Sequence, residues 1–469
     1  MDYMTLEHMT KACGGTYYGT EEDKQREVSG VVLDSRLVQT GFCFIATRGE
    51  RVDGHDFIKE VLQKGALCVV CEKLPEEREG NFILVSDSFR ALQDLAAYYR
   101  STLSTWVIGI TGSVGKTSTK ELIAGVLSRK FRVLKTEGNY NNEVGVPLTL
   151  LRIRREHEIA VVEMGINHFG EMRRLSRMAR PDVCVLTNIG ECHLEFLKSK
   201  VGVLQAKSEI FEYMQDDGVA YVNGDDEMLR NIERVKNRPP VTYGMERRND
   251  YYADQVSYDG LSGSSVTIHT KTETFPARVN QPGEHMVRNA LAATAIGEYF
   301  GMTTQEIQEG IASVRPISGR SRILPLAGYT VIDDCYNANP VSMRAALDML
   351  SHADGRTVAI LGDMGELGEK ENRFHKEVGA YAVQKNITGL ICVGRRSRFM
   401  YQGGCKAKSK TLNNTFVQYY ETLESLLERM QSGGLFPEGA TILVKASHSM
   451  GFSRLVDMLR DGSLSSEDR

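Results

Sequence analysis

From residue 106 onward, the chain alternates short apolar runs with longer segments in which apolar residues recur every three or four positions. The short runs have the length of strands, and the longer segments have the period of amphipathic helices. Such alternation predicts parallel strands joined by crossover helices, with helices on both faces of the sheet. The predicted strands of this first series are residues 106–111, 159–164, 183–187 and 219–223.

A second alternating series begins after residue 320 and predicts a further domain of the dinucleotide-binding type. Between the two series, the polar stretch 250–277 is rich in Tyr, Ser, Thr and Gly, which predicts a small antiparallel appendage to the domain of the first series. A helix is predicted to follow over residues 284–300. The second series has predicted strands at 330–333, 358–362, 390–394 and 441–445 and predicted helices at 340–350 and 369–383.

The end of the first predicted strand carries the most informative motif of the chain, residues 111–117, Thr-Gly-Ser-Val-Gly-Lys-Thr. Strand, glycine-containing turn and helix N-terminus follow in the order of a phosphate-binding loop. The glycines allow a tight turn, Lys116 can reach the outer phosphates, and the Thr117 hydroxyl can bind Mg²⁺. Ile110 stands at the first glycine of the full eight-residue pattern, but what remains still predicts a nucleoside triphosphate site. That site comprises Thr111, Gly112, Ser113, Val114, Gly115, Lys116, Thr117 and Ser118.

The first hundred residues contain shorter runs, with strands predicted at 31–33 and 42–45 and a helix at 89–99. A chain of 469 residues is too long for one ordinary core. We therefore predict an α/β protein of three domains. They are an N-terminal α/β domain (1–103), a central P-loop ATPase-like domain with a mostly parallel sheet (104–315) and a C-terminal Rossmann-like domain (316–469).

Composition narrows the class of protein further. The net charge of −4 gives no reason to expect a nucleic acid partner, and no apolar run approaches the length of a membrane span. The N-terminus lacks the apolar core of a secretory signal, so we expect a cytoplasmic protein. Nine irregularly spaced cysteines suit free thiols in a reducing compartment. Cys68 and Cys71 lie three apart on a predicted strand, and their sulfurs should point to opposite faces.

Polar side chains crowd the carboxyl ends of the predicted strands, where open α/β sheets bind ligands. Glu163 ends one strand and could bind Mg²⁺, although its position also suits an N-cap or a surface acid. His193 follows the next strand and is a possible metal ligand, with a satisfied loop histidine as the alternative. Lys207 lies on a predicted helix, where a solvated lysine is the simpler interpretation.

Two further clusters suggest recognition of a polar ligand. Asn139, Asn141 and Asn142 suit either polar recognition or a turn-rich loop. Arg320 and the acid- and amide-rich segment 333–340 could clamp a nucleotide from the C-terminal domain. No Ser/His/Asp or Cys/His arrangement stands out, so the constellation suits phosphoryl transfer, in which positioning and charge neutralisation supply most of the catalysis.

In this order, the motifs resemble those of the Mur ligases, the ATP-dependent amide-forming enzymes of peptidoglycan precursor synthesis. The resemblance covers nearly the whole chain. It rests on residues 34–36 and 48–57 in the first domain, 138–147 and 163–168 in the second, and 333–340 and 361–368 in the third. Segments 34–36 and 48–57 resemble the UDP-sugar-binding N-terminal domain of the family. Segments 333–340 and 361–368 are most similar to the family member that adds D-alanyl-D-alanine.

The resemblance implies roles for the candidate residues. Val114 departs from the family pattern, which has a polar residue there, but its backbone N–H could still serve ATP. The implied catalytic residues are Lys116, Lys207 and His193. The implied ligands of two Mg²⁺ ions are Thr117, Glu163, His193 and, if carbamylated, Lys207. The implied nucleotide contacts beyond the loop are Asn289, Arg320, Asp334, Tyr336 and Asn337. The implied substrate contacts are Ser35, Arg36, Asn139, Asn141 and Asn142.

The implied reaction begins when ATP phosphorylates the terminal carboxylate of UDP-MurNAc-tripeptide. The amine of D-Ala-D-Ala then attacks the acyl phosphate, giving UDP-MurNAc-pentapeptide, ADP and phosphate. We expect a monomer whose partners are these two substrates, with closure of the C-terminal domain as a gating step.

Several alternatives stay open at this point. One is a sister Mur ligase that adds a single amino acid, and another is a folylpolyglutamate synthase-like protein, against which the motif at residues 34–36 argues. A P-loop ATPase coupled to motion and a catalytically idle nucleotide-binding partner belong to different classes.

Overall fold

The computed structural model describes residues 1, 3–411 and 414–461, and these residues form three sheets that follow one another along the chain. The sheets occupy residues 16–84, 106–279 and 322–445. Strands alternate with helices in each region, so the predicted α/β class with three regions is confirmed. The domain boundaries at 103/104 and 315/316 stay predictions.

The elements of the N-terminal region are α1 (Leu6–Cys13), β1 (Thr16–Tyr18), β2 (Gly30–Val32), β3 (Phe42–Ile45), α2 (Ile58–Gln63), β4 (Cys68–Cys71), β5 (Phe82–Leu84) and α3 (Ser88–Ser101). The sheet order is β1-β5-β4-β3-β2, in which β1 runs antiparallel to its neighbour and the remaining pairs are parallel. Cys68 and Cys71 pack into different apolar clusters, because residues three apart on a strand face opposite sides. Burial raises the pKa of Cys71 to about 11, and both thiols are core residues.

The central region is built on a long mixed sheet. Its elements are β6 (Trp106–Thr111), α4 (Lys116–Leu127), β7 (Val133–Lys135), α5 (Gly145–Leu151), β8 (Ile159–Glu163), α6 (Glu171–Ala179), β9 (Val183–Leu186), α7 (Leu194–Leu197), α8 (Lys200–Ser208), β10 (Val219–Asn223), β11 (Val241–Gly244), β12 (Tyr251–Tyr258), β13 (Ser264–His269), β14 (Thr274–Val279), α9 (Glu284–Tyr299) and α10 (Thr304–Ser313). The order is β14-β13-β12-β11-β10-β9-β6-β8-β7, parallel from β7 to β12.

Two features of the central sheet differ from the sequence prediction or refine it. The stretch 250–277 is antiparallel as predicted, but it continues the main sheet because β12 pairs in parallel with β11. The short strands β7 and β11 were not predicted, since three or four residues give too little periodicity to recognise. The strands β8 and β9 are buried along their whole length, as expected for parallel strands covered on both faces.

One apolar core joins the N-terminal and central regions. It contains Leu92 and Leu95 of α3 together with Leu150 of α5 and Leu175 of α6. Helix α3 packs against both of these helices. The other face of the central sheet has its own core beneath α4, α9 and α10.

The C-terminal region forms a separate sheet. Its elements are β15 (Arg322–Leu326), β16 (Tyr329–Asp333), α11 (Pro340–Ser351), β17 (Thr357–Gly362), α12 (Glu371–Gln384), β18 (Gly389–Val393), α13 (Ser397–Lys408), β19 (Phe416–Tyr420), α14 (Leu423–Gln431), β20 (Thr441–Lys445) and α15 (Ser453–Arg460). The strand order is β15-β16-β20-β17-β18-β19, with β15 antiparallel at one edge. The edge strands β15 and β19 were not predicted, because their half-exposed residues give a weak apolar signal. Across the described residues, no helix combines the length and the apolar character needed to span a membrane.

Candidate active site

A cavity of about 760 Å³ lies between the central and C-terminal regions. It forms where β6, β8 and β10 of one sheet and β16 of the other end, the place at which α/β sheets bind ligands. Of the residues predicted from the sequence, those lining it are Ser113, Val114, Gly115, Lys116, Ser118, Asn141, Asn142, Glu163, His193, Asn289, Arg320, Asp334, Tyr336 and Asn337.

The phosphate-binding loop connects β6 to α4, as the motif predicts. Gly115 has a φ of +80°, a left-handed conformation that residues with a Cβ rarely adopt. Lys116 bends back to donate a hydrogen bond of 2.9 Å to the Gly112 carbonyl. Burial lowers the pKa of Lys116, and the Glu163 carboxylate opposes this effect. The Lys116 ammonium therefore bonds to its own loop in this structure, and binding a phosphate would require it to give up the hydrogen bond to Gly112.

Asn188 accepts two hydrogen bonds from backbone N–H groups of this loop. Its side-chain oxygen accepts from the Val114 N–H at 2.9 Å, and its carbonyl accepts from the Ser113 N–H at 3.0 Å. The Val114 N–H, expected to be available to ATP, is thus bonded within the protein in this conformation. The N–H groups of the first turn of α4 have no partner within the helix and remain the donors for an anion. Sequence reasoning missed Asn188, although it lies at the end of a predicted strand.

The oxygens suited to a metal ion lie beside the loop. The Thr117 hydroxyl and Oε2 of Glu163 are buried, and neither has a hydrogen-bond partner within the described part of the chain. The other Glu163 oxygen accepts from the Asn141 amide at 2.8 Å. The Thr111 hydroxyl is likewise buried and has no hydrogen-bond partner among the described residues. Oε2 of Glu163 forms an ion pair with the buried Lys120 ammonium at 3.9 Å. Buried oxygens that lack hydrogen-bond partners fit a hard cation such as Mg²⁺, which takes oxygen ligands.

His193 lines the cavity, whereas Lys207 is buried and is not one of the lining residues. Burial lowers the pKa of Lys207 to about 8, and the nearby Lys116 ammonium acts in the same direction. The pKa of His193 is lowered, first by burial and also by Lys207, while the hydrogen bond to Glu366 opposes the change. Among the residues that the structure describes, no group of three or more His, Cys, Asp and Glu side chains could hold a metal. The predicted ligand set has only two such residues and depends on Thr117 and a modified Lys207 for the rest.

The C-terminal wall of the cavity carries a buried ion pair. Lys445 donates to Asp334 at 2.7 Å and to the Asn337 carbonyl at 2.9 Å. The Arg320 guanidinium lies 4.2 Å from the centre of the Tyr336 ring, a cation–π contact. Lys445 was not predicted as a site residue, although it ends an apolar strand just as Glu163 does.

The three clustered asparagines, Asn139, Asn141 and Asn142, have different surroundings in the structure. Asn141 reaches Glu163, whereas the Asn142 side chain accepts from the Gly145 N–H at 2.9 Å and caps the start of α5. Asn139 is exposed and does not line the cavity. Asn289 lies beside the phosphate-binding loop and accepts from the Thr119 hydroxyl at 3.0 Å.

Ser35 and Arg36 lie in the N-terminal region and do not line the interdomain cavity. Arg36 is exposed and forms an ion pair with Asp34 at 2.6 Å, and Ser35 is buried with its carbonyl accepting from Lys64 at 3.1 Å. The structure therefore does not bring Ser35 and Arg36 together with the predicted residues that line the cavity. A substrate that contacts both the cavity and these two residues would have to be long.

Three family models match the chain in succession: "Mur ligase family, catalytic domain" over residues 27–100, "Mur ligase middle domain" over 110–297, and "Mur ligase, glutamate ligase domain" over 319–448. The UDP-N-acetylmuramoyl-tripeptide–D-alanyl-D-alanine ligase of Bacillus subtilis is 36% identical over 466 residues, covering 98% of this chain and 99% of the relative. The Escherichia coli ligase of the same name is 32% identical and covers 98% of both chains.

Solved structures give the same similarity. MurF from Acinetobacter baumannii aligns with a TM-score of 0.87 at 31% identity, covering 97% of this chain and 98% of that one. MurF from Thermotoga maritima, solved in complex with ADP, aligns with a TM-score of 0.80 at 28% identity, covering 92% and 97%.

Proposed function

The chain belongs to the Mur ligase family, and from this premise we propose that it is an ATP-dependent ligase that joins D-alanyl-D-alanine to UDP-N-acetylmuramoyl-tripeptide. The family membership confirms the resemblance drawn from the motifs. The observation that carries the proposal is an intact phosphate-binding loop facing the C-terminal region across the cavity, in a chain that matches ligases of this name along its whole length.

ATP would bind with its phosphates at the N-terminus of α4. Lys116 would exchange the Gly112 carbonyl for phosphate oxygens, where its charge offsets that of an approaching carboxylate. Arg320 and Tyr336, stacked on the opposite wall, are proposed contacts of the nucleotide, and Asn289 lies beside the loop. The cleft would also exclude water that could hydrolyse an acyl phosphate.

Magnesium is proposed at two positions. Thr117 and Glu163 present buried oxygens without hydrogen-bond partners, which fits one ion. His193 and Lys207 would hold the second after the Lys207 amine has added CO₂ and lost a proton to become a carbamate. Burial lowers the pKa of this amine to about 8, which increases the neutral form that reacts with CO₂. When bound, the ions would neutralise charge on the phosphates.

The peptide substrate would extend from the N-terminal region into the cleft. Ser35 and Arg36 are proposed contacts of its uridine diphosphate, and the asparagines at 139–142 are proposed contacts nearer the reacting carboxylate. D-Ala-D-Ala would approach near Asn337, Asn339 and the 362–368 loop, and its amine would attack the carbonyl carbon and displace phosphate. We also propose that the protein acts in the cytoplasm as a monomer.

Phosphate release from ATP tests this function. Release should require both UDP-MurNAc-tripeptide and D-Ala-D-Ala, with a pentapeptide product by mass, and tripeptides with lysine and with diaminopimelate should both be tried. Release with a single amino acid in place of the dipeptide would instead identify a sister ligase. Release without any acceptor would favour a non-ligase ATPase.

A further inference from the structure

The central and C-terminal regions touch at a small contact beside the cavity. Nδ1 of His193 hydrogen-bonds Oε2 of Glu366, and the Glu195 N–H donates to the Glu366 carbonyl at 3.3 Å. Leu194 packs against the core of the C-terminal region as well as that of the central region. A side chain that lines the active cavity is therefore held by a residue of the opposite domain.

Both residues of this hydrogen bond have an uncommon backbone conformation. His193 has a φ of +52° and Glu366 a φ of +57°, in the left-handed region that residues other than glycine rarely occupy. Such conformations persist only where the surroundings impose them, and they concentrate at functional sites. The two turns present the imidazole and the carboxylate to each other across the domain boundary.

The hydrogen bond between His193 and Glu366 determines which ring nitrogen of the imidazole carries the proton. The Glu366 carboxylate can only accept, so its hydrogen bond with Nδ1 of His193 requires the proton to be on Nδ1. In the neutral imidazole this leaves the lone pair on Nε2. No hydrogen bond to Nε2 occurs among the described residues, and His193 lines the cavity. Carboxylates commonly orient metal-binding histidines in this way.

We propose that Glu366 is a positioning residue that the C-terminal region supplies to the metal site of the central region. It holds His193 in the tautomer whose Nε2 can bind a metal ion, so that the site is complete only when the C-terminal region is docked. The inference rests on the proposed metal-binding role of His193. It assigns to the 362–368 loop a function in metal binding besides any contact with the dipeptide.

Binding of Mn²⁺, used in place of Mg²⁺ and followed by electron paramagnetic resonance with a saturating non-hydrolysable ATP analogue, tests the proposal. Glu366→Ala should weaken one Mn²⁺ site about tenfold. Glu366→Gln, which keeps an acceptor oxygen, should restore part of that affinity. Glu369→Ala removes the same charge from an exposed position three residues away and should bind Mn²⁺ like the wild type. Unchanged binding by Glu366→Ala would overturn the proposal.

A spectroscopic measurement separates positioning from a general structural effect. The ¹⁵N resonances of His193, assigned with His193→Ala, should report an Nδ1–H tautomer in the wild type and a mixture in Glu366→Ala. An Nε2–H tautomer in the wild type would contradict the inference. If His193→Ala loses a Mn²⁺ site and Glu366→Ala does not, the inference fails while the proposed site stands. If His193→Ala keeps every site, the proposed ligand role fails as well.

Discussion

The central region has two neighbours, and it meets them in different ways. Against the N-terminal region it shares one apolar core, and the buried Arg100 donates to Asp182 at 2.9 Å across the boundary. Between the central and C-terminal regions lies a cavity of about 760 Å³. Small contacts border it, such as the ion pair between Nη2 of Arg344 and Oε2 of Glu191 at 4.0 Å. The first boundary resembles the interior of a single domain, and the second resembles a cleft between separate bodies.

This difference separates stability from chemistry. Apolar burial at the first boundary stabilises the fold, because it removes side chains from water. Beside the second, the buried Thr117 hydroxyl lacks a hydrogen-bond partner in the described structure and so contributes little to stability or opposes it. We expect substitutions at the first boundary to change unfolding and substitutions at the second to change catalysis.

The largest expected effect is at the cleft. Lys116→Met should lower the rate of dipeptide-dependent phosphate release about 10³-fold, since the loop loses the cation that faces the reacting phosphates. The thermal midpoint should stay the same or rise, because a buried cation is removed. Lys130→Met, at an exposed lysine just beyond the same helix, is the matched control and should keep full activity. A large fall in the midpoint with Lys116→Met would contradict the separation.

The next largest effect is at the other boundary. Asp182→Ala should destabilise the protein by about 3 kcal/mol, because it leaves the Arg100 guanidinium buried without its counter-ion. Burial lowers the pKa of Arg100 even beside the aspartate, so the pair itself is costly, and adding Arg100→Met should recover part of the loss. Asp94→Ala breaks a half-exposed pair with Arg177 at the same boundary and should cost less than about 1 kcal/mol.

Urea denaturation and steady-state rates on the same samples check this prediction. Asp182→Ala should keep its rate per folded molecule within about twofold of the wild type, since the ion pair does not line the cavity. A rate loss that matches that of Lys116→Met would show that the two boundaries are not independent.

A substitution of Lys207 is expected to change both the stability of the fold and the catalytic activity. Without the carbamate, the pKa of the free Lys207 amine is about 8 in the folded protein against 10.5 for an ordinary lysine. Between these values the unfolded chain binds more protons, so the stability of the uncarbamylated wild type rises with pH. Lys207→Met should therefore be more stable than the wild type by about 1 to 3 kcal/mol near pH 7, and the gain should vanish between pH 8 and 10.5. Activity should fall about 100-fold.

Denaturant midpoints measured from pH 7 to pH 10.5 provide the check. A gain in stability that does not change with pH would mean that the titration of Lys207 is not its cause. If activity survives Lys207→Met, the proposed carbamate is not required.

How much of this could be predicted depends on how local each signal is. The phosphate-binding loop and Glu163 follow apolar strands, so position along the sequence marks both. Lys445 also ends an apolar strand, so the same signal marks it as well. Asn142 lines the cavity and also accepts a hydrogen bond at the start of α5, and the sequence alone does not separate these two uses, because a helix cap and a binding amide have the same local sequence preference.

Other features depend on contacts distant in sequence. Glu366 meets His193 across 173 positions, and periodicity gives no register between them. Likewise, the spacing of α3 indicates which face is buried but not that the core beneath it belongs to the central region. The sequence therefore predicts three regions and does not predict which two share a core.

The smallest expected effect sharpens the comparison at the C-terminal boundary. The His352 ring lies 4.9 Å from the Tyr258 ring, away from the lining of the cavity. His352→Ala should change the unfolding free energy by less than about 0.5 kcal/mol, because a surface contact of this size contributes little. Hydrogen exchange near residues 258–262 should nevertheless rise, while the Mn²⁺ affinity stays at the wild-type value. A loss of Mn²⁺ affinity as large as that of Glu366→Ala would mean that docking as a whole, and not the single carboxylate, completes the metal site.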